Sequence, residues 1–207
     1  LEKLGDRPGI LVGTQILAKG HDLPHLTLVV VVGVDEGLFS ADFRAGEKLA
    51  QQLIQVAGRA GRAQRPGEVR LQTHHPDHPL LNTLIQGGYH AFAENELEQR
   101  QAAGFPPFAH LALLRAEAKH VEAAEAFLRI AKSLCSAEMQ NTDMEIQGPL
   151  PAPMQRRAGM HRMQLLLSST TRRNLHALLD SVLPRLYDLP EARRVRWSLD
   201  VDPLDLY

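Results

Sequence analysis

Two arginines, each directly after a glycine, are the residues of this sequence whose types and spacing point most clearly to chemistry. They are Arg59 and Arg62, in the run Gln55–Arg62 (QVAGRAGR). Two neighbouring guanidinium groups suit phosphate oxygens and the charge that develops on a transferring phosphoryl group. The simpler interpretation is that both arginines cap a helix end or form salt bridges, and this run alone leaves that alternative open.

A second motif upstream favours the phosphate interpretation. It is Gly13–Asp22 (GTQILAKGHD), which follows the apolar run Ile10–Val12. Together the two motifs resemble motifs V and VI of superfamily 2 helicases. Their residues closely resemble those of the primosomal protein N-prime (PriA) family, which consists of DNA helicases that restart stalled replication forks. The resemblance continues through residues 35–44, 66–69, 71–73 and 199–203.

The resemblance implies a role for each residue on the nucleotide side. Arg62 would be the arginine finger that reaches the γ-phosphate of ATP, and Arg59 would share that phosphate. Gln55 would help to place the finger or the attacking water. Removal of such a finger costs on the order of 10³ to 10⁵ in hydrolysis rate. Gly20 and Asp22 resemble the positions near the nucleotide ribose and the finger.

On the DNA side, Thr14 resembles the residue whose hydroxyl and backbone N–H hold a phosphate of the tracking single strand. Lys19 would add positive charge beside it. Glycine and threonine at a strand-to-loop turn allow the backbone to approach a phosphate closely, which agrees with this role. Taken alone, Thr14 and Asp22 would be interpreted as ordinary turn residues.

Hydrophobic patterning places these motifs on a parallel sheet. Ile10–Gly13 and Leu26–Val34 are predicted strands, apolar enough for burial on both faces, and Glu68–Gln72 is another. Between them, apolar residues at 50, 53, 54, 56 and 57 predict a helix from about Gly46 to Ala60, whose face would carry both arginines. The resemblance implies the second half of a RecA-like helicase lobe 2, with the first half expected before residue 1.

The pattern changes after residue 108. The predicted elements in order are strand 111–117, helix 121–137, strands 145–150 and 164–168, helix 175–186 and strand 194–201. This βαββαβ order predicts a ferredoxin-like fold, which is also the fold of the family's C-terminal domain. We therefore expect an α/β and α+β chain, with helicase lobe residues at 1–75, a helical connector at 76–107 and a C-terminal domain at 108–207.

Arginines dominate the second half of that domain. Residues 155–196 contain nine arginines against three acidic residues, whereas the whole chain has a formal net charge of −1. Such a stretch is either a solvated surface or a face that meets nucleic acid or an acidic peptide. From the resemblance we assign Arg156, Arg157 and Arg162 to DNA. The predicted loop Pro149–Met163 offers methionine and histidine where an aromatic ring would stack on bases, so base stacking is not expected there.

The start of the last predicted helix suggests a protein partner. Thr171 is the predicted N-cap, which leaves Arg172 and Arg173 in the first helical turn. Two cations at the positive end of a helix are unfavourable without an anion. The resemblance identifies that anion as the acidic C-terminal tail of single-stranded DNA-binding protein (SSB), and His176, one turn later, would assist.

Motifs that are absent limit what the chain does alone. It contains no G-x-x-x-x-G-K-[ST] phosphate loop and no D-E-x-H pair. The family's paired C-x-x-C zinc motifs are also missing, and Cys135 is predicted to be a core or half-buried helix residue. We therefore expect ATP, Mg²⁺ and zinc to belong to the parent protein, and no metal site in this chain. Adjacent histidines on a loop rarely converge on one ion, so His74-His75-Pro76-Asp77-His78 is predicted to cap the next helix.

Composition sets the remaining expectations. One cysteine, no signal peptide and no apolar run near the ~18 residues of a membrane span fit a cytoplasmic protein without a membrane partner. The chain starts at Leu1 and is expected to be a monomeric fragment that binds branched and single-stranded DNA, SSB and other primosome proteins. Two alternatives stay open, a non-enzymatic DNA- and SSB-binding platform and a related superfamily 2 branch-migration helicase.

Overall fold

A computed structural model describes residues 9–14, 26–40, 42–58, 60, 67–139 and 143–206. The chain divides into two compact units. Unit 1 comprises Leu1–Ser40 and Arg44–Glu96, and unit 2 comprises Ala41–Phe43 and Leu97–Tyr207. The three-part organisation at 1–75, 76–107 and 108–207 stays a prediction. None of the helices in the described ranges is long and apolar enough to cross a membrane.

Unit 1 contains the predicted parallel crossover. Strand β1 (Leu28–Val31) pairs in parallel with β2 (Glu68–Leu71), and helices α1 (Asp35–Leu38) and α2 (Ala45–Ala57) lie between them in the chain. Leu28 is opposite Glu68, and the register continues without a shift to the last pair. The strand, helix, strand order expected from hydrophobic periodicity is therefore confirmed.

Two expectations about the apolar strands of unit 1 were wrong. Residues 10–13 form no strand, and Ile10 and Val12 are 91% and 88% exposed. A strand needs a hydrogen-bonded neighbour, and no strand in the described part of the chain pairs with these residues. β1 is also shorter than Leu26–Val34, and its Leu28 and Val30 side chains are exposed. The other face of β1, which carries Val29 and Val31, is half-buried.

Helix α2 is amphipathic, as its spacing predicts. Its buried residues are Leu49, Ala50, Leu53 and Val56, and the first three join a cluster with Val34, Leu81, Leu84 and Phe92. The helix ends at Ala57, where the N–H of Gly58 donates to the carbonyl of Ile54 at 2.9 Å. It does not reach Ala60, because two glycines at 58 and 61 disfavour further helical turns. Arg59 and Arg62 lie outside the described residues, so the prediction that they share a helix face stays a prediction.

Helix α3 (Pro79–Ala103) is two helices joined at Gly88, where φ is +72°. The Nδ1 atom of His78 accepts a hydrogen bond from the N–H of Leu80 at 3.2 Å, which satisfies a donor of the first helical turn. The histidine loop therefore caps the next helix, as predicted.

Unit 2 has the predicted βαββαβ order. Its elements are β3 (His110–Ala118), α4 (Val121–Glu138), β4 (Met144–Arg157), β5 (Met160–Ser169), α5 (Arg172–Asp188), a 3₁₀ helix (Glu191–Arg194) and β6 (Arg196–Val201). The sheet order is β4-β5-β3-β6, and every neighbouring pair is antiparallel. This is the split βαβ arrangement of ferredoxin-like folds, so the predicted fold is confirmed.

Both helices of unit 2 bury apolar residues against one face of this sheet. Fully buried side chains from α4, β5 and α5, among them Phe127, Leu128, Leu165 and Leu175, form its core. Burying each such side chain contributes roughly 1.5–3 kcal/mol. This core fixes the positions of the strand ends that carry the charged residues described below.

The predicted loop Pro149–Met163 is instead an extended hairpin. β4 continues to Arg157 and pairs with β5 through a two-residue turn at Ala158 and Gly159, whose φ angles are +49° and +78°. Positive φ at both turn positions is the geometry that matches the twist of an antiparallel pair. β4 is an edge strand with register shifts after Gln147 and Pro151, which accommodate its prolines.

Candidate functional site

Of the residues predicted to act on the nucleotide, the structure describes Gln55. It lies on the exposed side of α2, away from the buried Leu53 and Val56. Arg59, Arg62, Gly20 and Asp22 lie outside the described residues. Gln55 lies two residues before the end of α2 at Ala57, and its roles beside Arg59 and Arg62 stay predictions.

Of the residues predicted to contact the tracking DNA strand, the structure describes Thr14. It is exposed, in a segment without regular secondary structure. Lys19 lies outside the described residues. The assignments of Thr14 and Lys19 therefore stay predictions that rest on the motif.

Asp35 is a residue that the sequence analysis did not single out. It lies just after β1, and its carboxylate accepts hydrogen bonds from the Thr73 hydroxyl and from the N–H of His74, the latter at 3.0 Å. The hydroxyl of Thr73, followed by the His74 N–H, lowers the pKa of Asp35. These bonds join the carboxyl ends of β1 and β2, the edge at which α/β sheets bind ligands. The only sequence signal was its place at the start of the segment 35–44.

The histidines beyond β2 are engaged in ring contacts. The ring of Phe39 meets His75 and His78 edge-on, with centroids 4.6 and 5.6 Å apart. Within the described ranges, no three His, Cys, Asp or Glu side chains are grouped to hold a metal ion. Packing and capping therefore account for His75 and His78 without a ligand.

Phe43, part of the segment 35–44 that carries the resemblance, has a structural role in unit 2. Phe43 stacks on Phe105 with ring centroids 5.2 Å apart and planes 11° apart. The Arg100 guanidinium lies 5.4 Å from the Phe43 centroid, and its Nη2 donates to the Phe43 carbonyl at 3.4 Å. A ring held on one face by an aromatic and contacted by a cation is well ordered. These contacts hold Phe43 within unit 2.

The three arginines assigned to DNA differ in accessibility. Arg156 and Arg157 are exposed at the end of β4. The side chain of Arg162 is only 11% exposed, and its Nε donates to Glu117 on the neighbouring strand at 2.9 Å. An ion pair of this kind neutralises the guanidinium and holds it in the sheet. The assignment of Arg162 stays a prediction, but its charge is already matched inside the protein.

The start of α5 contains anions supplied by the chain itself. Thr171 occupies the N-cap position but makes no side-chain cap bond. The Nη2 of Arg172 lies 2.9 Å from Oδ2 of Asp202, and both side chains are about half exposed. Arg173 and His176 are exposed. An incoming acidic group would therefore have to compete with Asp202 for Arg172.

Asp143 is the second carboxylate at this helix end. It accepts hydrogen bonds from the Asn174 amide at 3.1 Å, the Thr170 hydroxyl at 3.1 Å and the Ser169 hydroxyl at 3.3 Å. Donation from Asn174, the strongest influence, lowers the pKa of Asp143. The carboxylate is thereby held ionised beside the first turn of α5, where the helix dipole also favours a negative charge.

Cys135 is buried on α4, with 2% of its surface exposed. Burial raises the pKa of its thiol from 9.0 to about 11. A neutral, buried thiol is neither a nucleophile nor a metal ligand. The prediction that Cys135 is a core residue is therefore confirmed.

Comparison with protein families agrees with both units. The family model described as the helicase conserved C-terminal domain matches residues 1–64, and that of the primosomal protein N C-terminal domain matches residues 101–204. The designed protein Foldit4 covers 46% of the chain at a TM-score of 0.36 and 8% identity. The two family matches define a class of proteins in which a helicase segment precedes a primosomal C-terminal domain.

Curated relatives specify the family. Proteins named Replication restart protein PriA are 51% identical to this chain in Haemophilus influenzae, 38% in Synechocystis and 36% in Bacillus subtilis, over 94–95% of its length. The chain belongs to the PriA family. It spans about a quarter of the length of these relatives, with 27%, 23% and 24% of each protein matched.

Proposed function

We propose that this chain is the C-terminal portion of an ATP-dependent 3′-to-5′ DNA helicase. The parent protein would recognise stalled or repaired replication forks and start primosome assembly for replication restart. The observation that carries this proposal is similarity to relatives named Replication restart protein PriA along nearly the whole chain. In addition, residues 1–64, which match the helicase family, contain every residue predicted to contact ATP or the tracking strand.

In this proposal the chain supplies the second side of an ATP site. The residues present fit that partial role, because Gln55 is exposed at the end of an ordered helix while the sequence has no phosphate loop of its own. ATP and Mg²⁺ would be held by the first lobe of the parent and supply the phosphoryl group. Arg62 would stabilise the charge that develops on this phosphoryl group, Arg59 would share the phosphate, and Gln55 would help to place the finger or the attacking water.

The test of the helicase proposal uses the full-length parent. Arg62→Ala is expected to lower DNA-stimulated ATP hydrolysis by about 10³-fold or more, because the transition-state charge loses its guanidinium. Arg65→Ala, three residues after Arg62 and outside the run Gln55–Arg62, is the matched control and is expected to change the rate less than threefold. Equal rates in Arg62→Ala and wild type would contradict the assignment. The isolated chain is expected to show no ATP turnover.

DNA binding by the isolated chain is proposed to use unit 2. Arg156 and Arg157 are exposed, and neither has an ion-pair partner among the described residues. Because phosphate contacts release counterions, affinity for a branched DNA should fall steeply with salt. A chain whose DNA affinity is independent of salt, or unmeasurable at low salt, would contradict the proposal. If the isolated chain binds DNA but does not hydrolyse ATP, it acts as the non-enzymatic platform of the alternative interpretation.

A protein partner is proposed at the start of α5. The acidic tail of SSB would replace Asp202 as the partner of Arg172, with Arg173 and His176 beside it. Arg172→Ala should weaken binding of the tail peptide about tenfold, whereas Asp202→Asn should strengthen it by freeing the arginine. Arg185→Ala, on the same helix, is the control. Tail binding unchanged in Arg172→Ala would contradict this assignment.

Monomeric state, cytoplasmic location and other primosome partners are proposed on the same family basis.

A further inference from the structure

The register of the sheet in unit 2 brings one end of all four strands together. Arg157, at the end of β4, is opposite Met160, at the start of β5. Ala118, at the end of β3, is opposite His161 of β5, and Arg196, at the start of β6, is opposite Glu117 of β3. This end of the sheet therefore spans three strand intervals, about 14 Å from edge to edge.

Unpaired arginines are concentrated at this end. Several described arginines of unit 2 form ion pairs with carboxylates, among them Arg115, Arg129, Arg162, Arg172 and Arg185. Six exposed arginines have no such partner in the same part of the chain: Arg156, Arg157, Arg173, Arg193, Arg194 and Arg196. Five of these six lie at or directly beside the strand ends just described, two at the hairpin and three at the start of β6.

An aromatic ladder reaches the surface beside the second group. The ring of Phe127, in the core, lies 5.7 Å from that of Trp197 on β6, which lies 4.8 Å from that of Tyr187. Tyr187 is 65% exposed. The ladder fixes one side of the Tyr187 ring against the core and leaves much of the ring accessible to solvent.

We propose that Tyr187, Arg193 and Arg194 form a binding site for single-stranded DNA, with the tyrosine stacking on a base and the arginines contacting phosphates. The proposal rests on the proposed DNA-binding function of unit 2 and extends it to residues with no assigned role. An exposed aromatic ring beside unmatched arginines is the combination that binds single strands. It also supplies the aromatic ring that the hairpin Arg156–Arg162 lacks.

Charge favours DNA over an acidic peptide as the ligand. Asp188 ends α5 and Glu191 begins the 3₁₀ helix, so the 187–197 segment has a net charge of only +1. The hairpin arginines at the other edge of the sheet extend the positive surface across about 14 Å, roughly the span of two to three nucleotides of a single strand. A chain of regularly spaced phosphates can use both groups at once.

The first test measures the binding of a fluorescent 15-residue oligothymidylate to the 207-residue chain by anisotropy. Tyr187→Ala should weaken binding about tenfold, because the stacking surface is removed, and Tyr187→Phe should bind within twofold of wild type. Phe108→Ala removes another exposed aromatic of unit 2 and serves as the control. The loss in Tyr187→Ala should be at least threefold smaller for a blunt duplex, which has no free base. Wild-type affinity in Tyr187→Ala overturns the proposal.

The second test concerns the phosphates. Arg193→Gln with Arg194→Gln should reduce the slope of log affinity against log salt by roughly 1.4, about 0.7 for each phosphate that the protein no longer neutralises. Arg129→Gln with Arg185→Gln removes the same charge from paired arginines and should leave the slope unchanged. Asp188→Asn should strengthen binding. If wild type does not bind the oligonucleotide, the DNA-binding function fails as well; if only Arg156 and Arg157 variants lose binding, only this site is rejected.

Discussion

Cys135 shows how burial alone determines the chemistry of a residue. Because burial raises the pKa of the thiol to about 11, the native protein at pH 8 contains roughly 100-fold less thiolate at this position than an ordinary cysteine. We expect reaction with a maleimide to be correspondingly slow in the native chain and fast in urea. The raised pKa also predicts that stability is unaffected below pH 9.0 and falls as pH rises from 9.0 toward 11. Rapid labelling under native conditions would contradict this.

Asp143 provides the opposite case, a carboxylate stabilised by donors. Asn174→Ala removes the strongest of these, so the pKa of Asp143 should rise toward 3.8, as measured by carbon-detected NMR titration. Because the folded pKa is lowered, the carboxylate contributes stability above pH 3.8, and this contribution is lost as pH falls through the folded pKa. Asp35, whose donors are Thr73 and His74, is an internal control and should not shift. An unchanged pKa of Asp143 in Asn174→Ala would show that Asn174 is not its main donor.

Substituting two of the glycines by alanine should change the free energy of unfolding in opposite directions. Gly58 has φ of −68°, an ordinary helical value, and an added Cβ would meet only normal contacts. Gly58→Ala should therefore stabilise unit 1 by about 0.5–1 kcal/mol. Gly148 has φ of +111°, and its Cβ would lie 2.8 Å from the Gln164 carbonyl. Gly148→Ala should destabilise unit 2 by about 2 kcal/mol or more. Urea denaturation measures both, and equal signs would contradict the argument.

Periodicity predicted the elements of unit 2 well where each was regular. Helix α4 begins at Val121 as predicted, because its apolar residues repeat at helical spacing and tolerate no shift in phase. The hairpin was missed because Pro149, Pro151 and Pro153 are typical of loops. An edge strand tolerates prolines, since half of its N–H groups face away from the sheet. Edge position is a property of the sheet that local sequence does not contain.

Ion pairs between distant residues are the second feature that the sequence does not predict. Arg172 and Asp202 are 30 residues apart, and Arg162 and Glu117 are 45 apart, so only the fold brings each pair together. The motif-based residues of the candidate site needed no such information, because their spacing within Gly13–Asp22 and Gln55–Arg62 is itself the signal. The sequence is therefore sufficient to predict residues for the nucleotide side, but it does not show which arginines of unit 2 are already neutralised.

The described part of the chain contains two hydrophobic cores of different size, one for each unit. The core of unit 2 includes 17 buried residues, whereas that of unit 1 includes seven. Buried apolar area is the main source of stability, so unit 1 should unfold at a lower urea concentration than unit 2. The single tryptophan, Trp197, lies against the core of unit 2 and reports on that unit alone.

Two optical signals can therefore separate the units. Circular dichroism at 222 nm should show two transitions, and tryptophan fluorescence only the later one. Leu53→Ala should move only the early transition to lower urea, and Leu128→Ala only the late one. Each substitution should lower the free energy of unfolding of its unit by about 2–5 kcal/mol, because it leaves a cavity in that core. The two variants are matched in chemistry and differ only in the unit that carries them. A single transition, with coincident midpoints by both signals and equal sensitivity to both substitutions, would show that the chain unfolds as one cooperative body.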